Sequence, residues 1–325
     1  MRTRFLPVLV ALAASTALVT ATTPATAAPP ASAARATSTV VKEVFSPDGG
    51  ISRVRVPRPP SAPALTLAAA DVVPIQQTGP SASRFDLVFV GDGYTASELA
   101  TYHEHVLARW AELTRIEPYK SLKQSFNVWQ VNVVSAQSGV DNDPTQGVRR
   151  NTALDMYFWC GDTERLLCVN ETKARQYANS APAVDQVLAL ANTTKYGGAG
   201  GGVATASGGN AQATWIVAHE LGHSVGGLAD EYDYPNDLYT GAEPREVNVS
   251  THPSATMTQR RAKWYAYLGK QSPDGGVIGT YQGGYYHKRG VYRPTDNSLM
   301  RSLGRQFNLI GLDAVRGGIQ RKTTP

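Results

Sequence analysis

Hydrophobic and polar residues follow one another along the middle of the chain in patterns that predict strands and helices in turn. Residues 84–90 have the pattern of a buried strand, and residues 126–134 alternate as a second strand. Between them, apolar residues recur at helical spacing over residues 99–113, after a capping residue at Thr95 or Ser97. A strand, a helix and a strand in this order predict a parallel pair with the helix packed across it.

Helical spacing appears again over residues 211–221, which contain no proline or glycine. The pair at 226–227, Gly-Gly, then offers a point at which the chain can leave the helix and turn back. Residues 184–190 are predicted to continue another helix. The glycine-rich residues 197–202 are predicted to form a strand or turn beside a cleft, where a substrate backbone can approach closely. The chain beyond is rich in loops, so the pattern as a whole predicts the α/β (α+β) class.

The first 72 residues differ in composition from the rest. Residues 1–27 have a short basic start, an apolar stretch and a small-residue Ala-Thr-Ala site, which together predict a signal peptide. Residues 28–72 are rich in Ala and Pro, and contain candidate strands at 40–45 and 51–56 around a Pro-Asp-Gly-Gly turn. We interpret 28–72 as a linker, a propeptide or a small β-appendage, and 73–325 as the main domain.

The charge and the cysteine content indicate which binding partners and which cellular compartment to expect. The formal net charge is +5, and two of the positive charges, Arg2 and Arg4, lie in the predicted signal peptide. No basic run interleaves with aromatic residues, and no second apolar stretch is long enough to span a bilayer. We therefore expect a secreted, extracellular monomer that binds neither nucleic acid nor membrane. Cys160 and Cys168 are a close pair, which in an exported chain predicts a disulfide.

Residues 219–223, His-Glu-Leu-Gly-His, carry the most informative chemistry in the sequence. Positions four apart share one face of a helix, so His219 and His223 can bind one metal ion from the same side. Glu220 would then lie beside the metal, where it can take a proton from a metal-bound water. Zinc with imidazole ligands lowers the pKa of that water to roughly 7 and polarises a carbonyl group. This equipment is typical of enzymes that hydrolyse peptide bonds.

A catalytic zinc ion needs a third protein ligand and one open position. Asp230 is the first oxygen donor that a turn after Gly226 can bring back toward the histidines, and it is the first candidate. Glu231 is the second, and would otherwise pack elsewhere or support a histidine from a greater distance. Glu243, twenty residues after His223, is the third.

Further residues are candidates for roles near this site or at a second ion. Met300, in a tight Asn-Ser-Leu-Met-Arg context, is either a methionine beneath the metal or a plain core residue. The turn 141–143 is either a Ca²⁺ site or an Asx-turn capped by its own side chains. Several donors for a transition-state oxyanion lie in the loops that follow. They are Tyr285, Tyr286, His287, Tyr292 and Arg293.

Three segments together resemble the M64 peptidases, the family first defined by a bacterial immunoglobulin A endopeptidase. They are residues 91–95 (Gly-Asp-Gly-Tyr-Thr) after a buried strand, residues 219–232 with the metal motif, and residues 292–300. The resemblance extends over roughly residues 75–312. The region before the main domain is shorter than in the larger members of that family, so immunoglobulin cleavage is not carried over.

The resemblance implies a fold and roles for three residues. His219 and His223 would bind zinc, and Glu220 would be the catalytic base. The implied fold is metzincin-like, with a mixed sheet and an active-site helix in an upper lobe and a loop-rich lower lobe.

These observations predict a secreted zinc metallopeptidase, an endopeptidase whose substrate is a protein or peptide. Residues 73–325 would be its catalytic domain. Two alternatives stay open. A zinc amidase would use the same residues on another amide, such as a cell-wall crosslink. A metal-stabilised, non-catalytic binding protein would keep the metal but would have little use for Glu220.

Overall fold

The computed structural model describes residues 38–58 and 70–323, so the predicted signal peptide lies outside the described residues. These two ranges contain five α-helices and eleven β-strands. The helices are α1 (Leu99–Leu113), α2 (Glu171–Ala178), α3 (Ala213–Ser224), α4 (Ser254–Arg260) and α5 (Leu309–Thr323). The strands are β1 (Thr39–Phe45), β2 (Ile51–Pro57), β3 (Val72–Gln76), β4 (Phe85–Asp92), β5 (Phe126–Val131), β6 (Gln186–Ala191), β7 (Gly198–Ala199), β8 (Ala204–Ser207), β9 (Asp233–Leu238), β10 (Tyr281–Gly284) and β11 (Tyr286–Arg293). None of the helices in these ranges is long and apolar enough to cross a membrane.

A six-stranded mixed sheet organises the fold. Its strand order is β3-β5-β4-β6-β8-β7. The four inner strands are parallel, whereas β3 and β7 run antiparallel to their neighbours at the two edges. The predicted parallel pair is confirmed, with Phe85 of β4 opposite Phe126 of β5 and helix α1 in the connection between them. The predicted mixed α/β class is therefore confirmed.

Strand β4 separates two hydrophobic cores, because successive side chains of a strand point to opposite faces. Leu87 and Phe89 pack in the core that contains the apolar faces of α1 and α3. Val88 and Val90 pack in the other core, against α2 and the long connection that precedes it. Helix α1 buries the predicted face. Thr95 forms a capping box with Glu98 at the start of the 3-10 turn that leads into α1.

The prediction of a helix over residues 184–190 is wrong, because this segment contains strand β6. All six residues of β6 are buried between β4 and β8. A strand that is covered on both faces has no alternation of apolar and polar residues, so its pattern does not distinguish it from a buried helix. The glycine-rich stretch behaves as predicted, since it contains the edge strand β7.

The chain after α3 is loop-rich, as predicted. It contains the small sheet of β10, β11 and β9 and the helices α4 and α5. Helix α5 returns to the main core, where it buries Val315 and Ile319. The predicted disulfide between Cys160 and Cys168 is confirmed.

Residues 39–57 form a separate antiparallel hairpin of β1 and β2, close to the two strands that the alternation predicts. Val44 and Val56 of the hairpin are buried against Leu166 and the disulfide. Strand β1 also lies beside β7, at the edge of the main sheet. The hairpin therefore packs against the main domain while adding no strand to its sheet.

Candidate metal centre

Two histidines on helix α3 form the centre of the site. The helix is apolar over most of its surface because it lies between the main sheet and α5, so polar side chains on it are exceptions. His219 and His223 lie one turn apart, and their Nε2 atoms are 3.1 Å apart. His219 is completely buried, and the side chain of His223 is 27% exposed. The two imidazoles therefore meet at a point that is open to solvent on one side only.

Backbone carbonyl groups fix the orientation of both rings. Nδ1 of His219 lies 3.0 Å from the carbonyl oxygen of Leu299, and Nδ1 of His223 lies 2.7 Å from that of Leu228. A carbonyl oxygen only accepts hydrogen bonds, so each Nδ1 must carry a proton. In a neutral ring, Nε2 then presents its lone pair. Both lone pairs converge, as the ligands of a metal ion do.

Asp230 completes the group from the loop after α3. The chain turns at Gly226 and Gly227, as predicted, and Gly227 adopts the left-handed conformation that favours glycine. Asp230 Oδ1 lies 3.2 Å from Nε2 of His219 and 3.3 Å from Nε2 of His223. Its other oxygen accepts a hydrogen bond of 2.6 Å from the hydroxyl of Tyr286.

Glu231, the second candidate for the third ligand, points away from the histidines. Its carboxylate accepts hydrogen bonds from the side chains of Asn248, Ser298 and Asn308. Its backbone N–H donates to the carbonyl oxygen of Met300. Glu231 therefore fixes the segment that holds the Leu299 carbonyl against His219, an indirect support of that ring.

Glu243, the third candidate, also lies away from the metal group. Its carboxylate accepts hydrogen bonds from Ser250 and Thr251 in its own loop. Of the three candidates, the structure brings only Asp230 to the two histidines.

A fourth group that could bind a metal ion at this point is the carboxylate of Glu43, in strand β1. Its Oε2 lies 3.1 Å from Nε2 of His219 and 3.6 Å from Nε2 of His223. Its Oε1 accepts a hydrogen bond of 2.6 Å from the hydroxyl of Tyr232. The sequence analysis missed Glu43, which is 176 residues from His219. The alternation of residues predicts strand β1, but it does not show which distant residues the Glu43 side chain lies beside.

The four groups suit a cation. Glu43, His219, His223 and Asp230 form the cluster in the described part of the chain that could hold a metal ion. Oδ1 of Asp230 is buried and receives no donor from the described residues. Burial by itself lowers the pKa of His219, but without a metal ion the adjacent Asp230 and Glu43 carboxylates raise it to about 10. These carboxylates therefore favour a positive charge at this point, which a metal ion would supply in place of a proton. Two imidazole nitrogens and two carboxylate oxygens are a donor set that zinc accepts in tetrahedral sites.

Glu220 lies beside this cluster and faces the cleft. It is buried, and its Oε1 has no hydrogen-bond donor among the described residues. Burial raises the pKa of Glu220 to about 7. A Cβ atom at Gly200 would lie 2.1 Å from the Glu220 carboxylate oxygens, so any other residue there would displace that carboxylate. The cleft over Glu220 is about 390 Å³ in volume, and Gly200, Gly201 and Tyr286 line it.

Met300 lies beneath the metal group, against helix α3. A Cβ atom at Gly222 would be 2.6 Å from the Met300 sulfur. Gly222 stands between the two histidines in the sequence, so the glycine lets the methionine pack under the turn that carries them. Met300 is fully buried.

Two of the oxyanion candidates, Tyr286 and Arg293, lie in different surroundings. The Tyr286 hydroxyl is in the cluster, bound to Asp230. Arg293 instead binds Asp296 and the carbonyl oxygens of Gln282 and Gly283. The sequence analysis missed Tyr232, whose hydroxyl donates a hydrogen bond to the Glu43 carboxylate.

The turn at 141–143 is held by hydrogen bonds within its own loop. The Asp141 carboxylate accepts from the backbone N–H of Arg150 and from the Arg149 side chain. The Asn142 side chain accepts from the N–H of Gly147 and donates to the carbonyl oxygen of Phe158. The partners are five to sixteen residues away along the chain, so these bonds are not those of an Asx-turn, which joins a side chain to the N–H two residues on. A Ca²⁺ ion at this turn stays a prediction.

Comparison with known proteins agrees with the geometry. The family model described as IgA Peptidase M64 matches residues 73–274 and, in a second segment, residues 266–319. These residues include α3, Asp230 and Met300, but not the β1–β2 hairpin. No curated protein matches the sequence significantly. The mixed sheet with α3 beneath its edge strand is compatible with the metzincin-like fold that the sequence predicts. Since the match covers most of the sequence, the chain belongs to the M64 family of peptidases.

Proposed function

We propose that this chain is a secreted zinc endopeptidase whose metal ligands are His219, His223 and Asp230 and whose general base is Glu220. One observation carries the proposal. Two imidazole nitrogens and one carboxylate oxygen that receives no donor from residues 38–58 and 70–323 converge within 3.3 Å of one another. Buried polar groups are normally paired. A cation at this point is what would pair them.

Zinc bound there would polarise the carbonyl group of the scissile peptide and lower the pKa of a coordinated water to about 7. Glu220 Oε1 would take the proton from the attacking water and deliver it to the leaving nitrogen. Its burial supports this role, because burial raises the pKa of Glu220 and makes the carboxylate a better proton acceptor.

The substrate backbone would bind along the glycine-rich edge of the sheet. Strand β7 is the edge strand, and the glycines that follow it bring the backbone close to Glu220. An extended peptide can add to such an edge through main-chain hydrogen bonds. The hydroxyls of Tyr286 and Tyr232 are the nearest donors for the oxygen on which negative charge develops.

Secretion is supported by the predicted signal peptide and by the disulfide. A bond between Cys160 and Cys168 persists in an oxidising compartment and is rare in the cytosol.

The experiment is metal analysis combined with a digest. Purified protein should contain one zinc per chain, and a chelator should abolish its cleavage of a mixture of unfolded proteins, with recovery on adding zinc. Mass spectrometry of the products should show internal peptide bonds cut. Undiminished cleavage by metal-free protein would contradict the proposal. Zinc binding with no protein cleaved would instead favour an amidase or a binding protein.

A further inference from the structure

The β1–β2 hairpin lies across the cleft and contacts both of its sides. On the side of the main sheet, Lys42 Nζ donates to the carbonyl oxygen of Gly200 at 2.9 Å and contacts Glu171 at the same distance. On the other side, the N–H of Arg53 donates to the hydroxyl of Tyr234 at 3.0 Å, and the Arg53 guanidinium lies 3.9 Å from the centre of the Tyr286 ring, which lines the cleft. The hairpin therefore occupies the edge that a substrate strand would need.

The Glu43 carboxylate lies where the substrate carbonyl group would bind. Two histidines and Asp230 leave a tetrahedral zinc ion with one open position. Oε2 of Glu43 lies at the free side of the histidine pair, and Oε1 holds the Tyr232 hydroxyl. The Glu43 carboxylate therefore approaches the two histidines with one oxygen and accepts the hydrogen bond of the Tyr232 hydroxyl with the other.

We infer that the hairpin at 39–57 is a built-in inhibitor of the enzyme. Glu43 is the fourth metal ligand of the resting protein, and it must leave before a substrate can enter. This inference rests on the proposed function, since it needs a metal ion at the site. It also decides between the interpretations of residues 28–72 that the sequence leaves open, in favour of a propeptide-like segment.

The hairpin is built so that it can leave without unfolding the main domain. Its strands pair only with each other, so its departure breaks no pairing in the six-stranded sheet. One of its main attachments is polar: Arg165 donates to the carbonyl oxygen of Phe45 at 2.7 Å and to the Ser46 hydroxyl at 2.6 Å. Arg165 is outside the metal cluster, so it can be changed without removing a ligand.

Binding of a small metal ligand tests whether Glu43 closes the open position. The probe is acetohydroxamate, titrated into full-length secreted protein whose metal has been exchanged for Co²⁺, and followed by visible absorption. If the hairpin is open in about 1–10% of molecules, Glu43→Ala and Glu43→Gln should bind the probe about 10- to 100-fold more tightly than wild type. Co²⁺ stoichiometry should remain one per chain in all three proteins.

Arg165→Ala provides the second arm, because it weakens the docking of the hairpin and keeps Glu43. We expect it to tighten probe binding in the same direction as Glu43→Ala. Asp48→Asn, which removes an exposed carboxylate from the hairpin turn, should leave probe affinity at the wild-type value. Arg149→Ala, which removes an exposed arginine elsewhere, is the matched control for Arg165→Ala.

Two results would overturn the inference. Equal probe affinity in wild type and both Glu43 variants would show that Glu43 does not close the site. Loss of Co²⁺ from both variants would show that Glu43 is a permanent ligand. Failure of wild type to bind Co²⁺ at all would instead contradict the proposed metal site, so the two failures are distinguishable.

Discussion

Two buried aspartates, Asp92 and Asp230, differ in how many hydrogen-bond donors surround their carboxylate groups, and the difference separates a structural role from a binding role. Asp92, the last residue of β4, is completely buried, and both of its oxygens are paired. It accepts from the N–H groups of Leu154 and Met156 and from the hydroxyls of Thr152 and Ser135. Burial raises the pKa of Asp92, and the four donors oppose that shift.

Asp230 is buried to nearly the same degree, but only one of its oxygens has a donor among the described residues. Glu220, which lines the same cleft, also has one oxygen that no described residue donates to. A buried carboxylate oxygen without a donor is costly. It does not by itself identify a functional acid, since Oδ2 of Asp86 in β4 is also buried without a donor among the described residues. Asp230 and Glu220 differ from Asp86 because they line a cleft that contains His223.

The largest expected effect comes from Glu220→Gln. Glutamine keeps the size of the side chain but cannot accept a proton, so kcat should fall by about 10²- to 10⁴-fold. Zinc content and thermal stability should stay at the wild-type level, which metal analysis and calorimetry check. Retained turnover would assign the base to another residue.

Asp230→Ala should come next, with a loss of zinc affinity of about 100-fold or more, since it removes a ligand rather than a supporting group. Its neighbour Glu231→Ala is the matched comparison. That change leaves Asn248, Ser298 and Asn308 without their acceptor, so it should lower thermal stability more than zinc affinity. Competition with a chromogenic chelator measures both affinities. The opposite ranking would contradict the ligand assignment.

Asp92→Asn should lower the free energy of unfolding by about 3 kcal/mol, because an amide group would replace an acceptor that faces four donors. Zinc affinity of the folded protein should not change. Denaturant unfolding and metal analysis of the same preparation separate the two effects. A loss of zinc without a loss of stability would show that the two aspartates do not differ in the way described.

The smallest effect is expected from Thr152→Ala. It removes one hydrogen bond of 2.9 Å from Asp92 and leaves the other donors in place, so it should cost about 1 kcal/mol of stability. Denaturant midpoints measure this directly. A loss of stability as large as that of Asp92→Asn would mean that the hydrogen bond from Thr152 alone provides most of the stabilisation of the Asp92 carboxylate.

Local patterns in the sequence predicted much of the site. Helical spacing placed His219 and His223 on one face, and the glycine pair explained the turn to Asp230. Strand β6 was not predictable in the same way, because complete burial removes the alternation that marks a strand. Glu43 was missed because its neighbours are distant in sequence, and only the packing of β1 against the sheet edge brings it to the histidines.

X-ray absorption at the zinc edge, on the full-length secreted protein, tests the central claim most directly. The site described here predicts two imidazole nitrogens at about 2.0–2.1 Å and two oxygens at about 2.0–2.2 Å, with no sulfur. Those oxygens would come from Asp230 and Glu43. A zinc ion with sulfur ligands or without two imidazoles, or protein that purifies free of zinc and does not take it up, would contradict it.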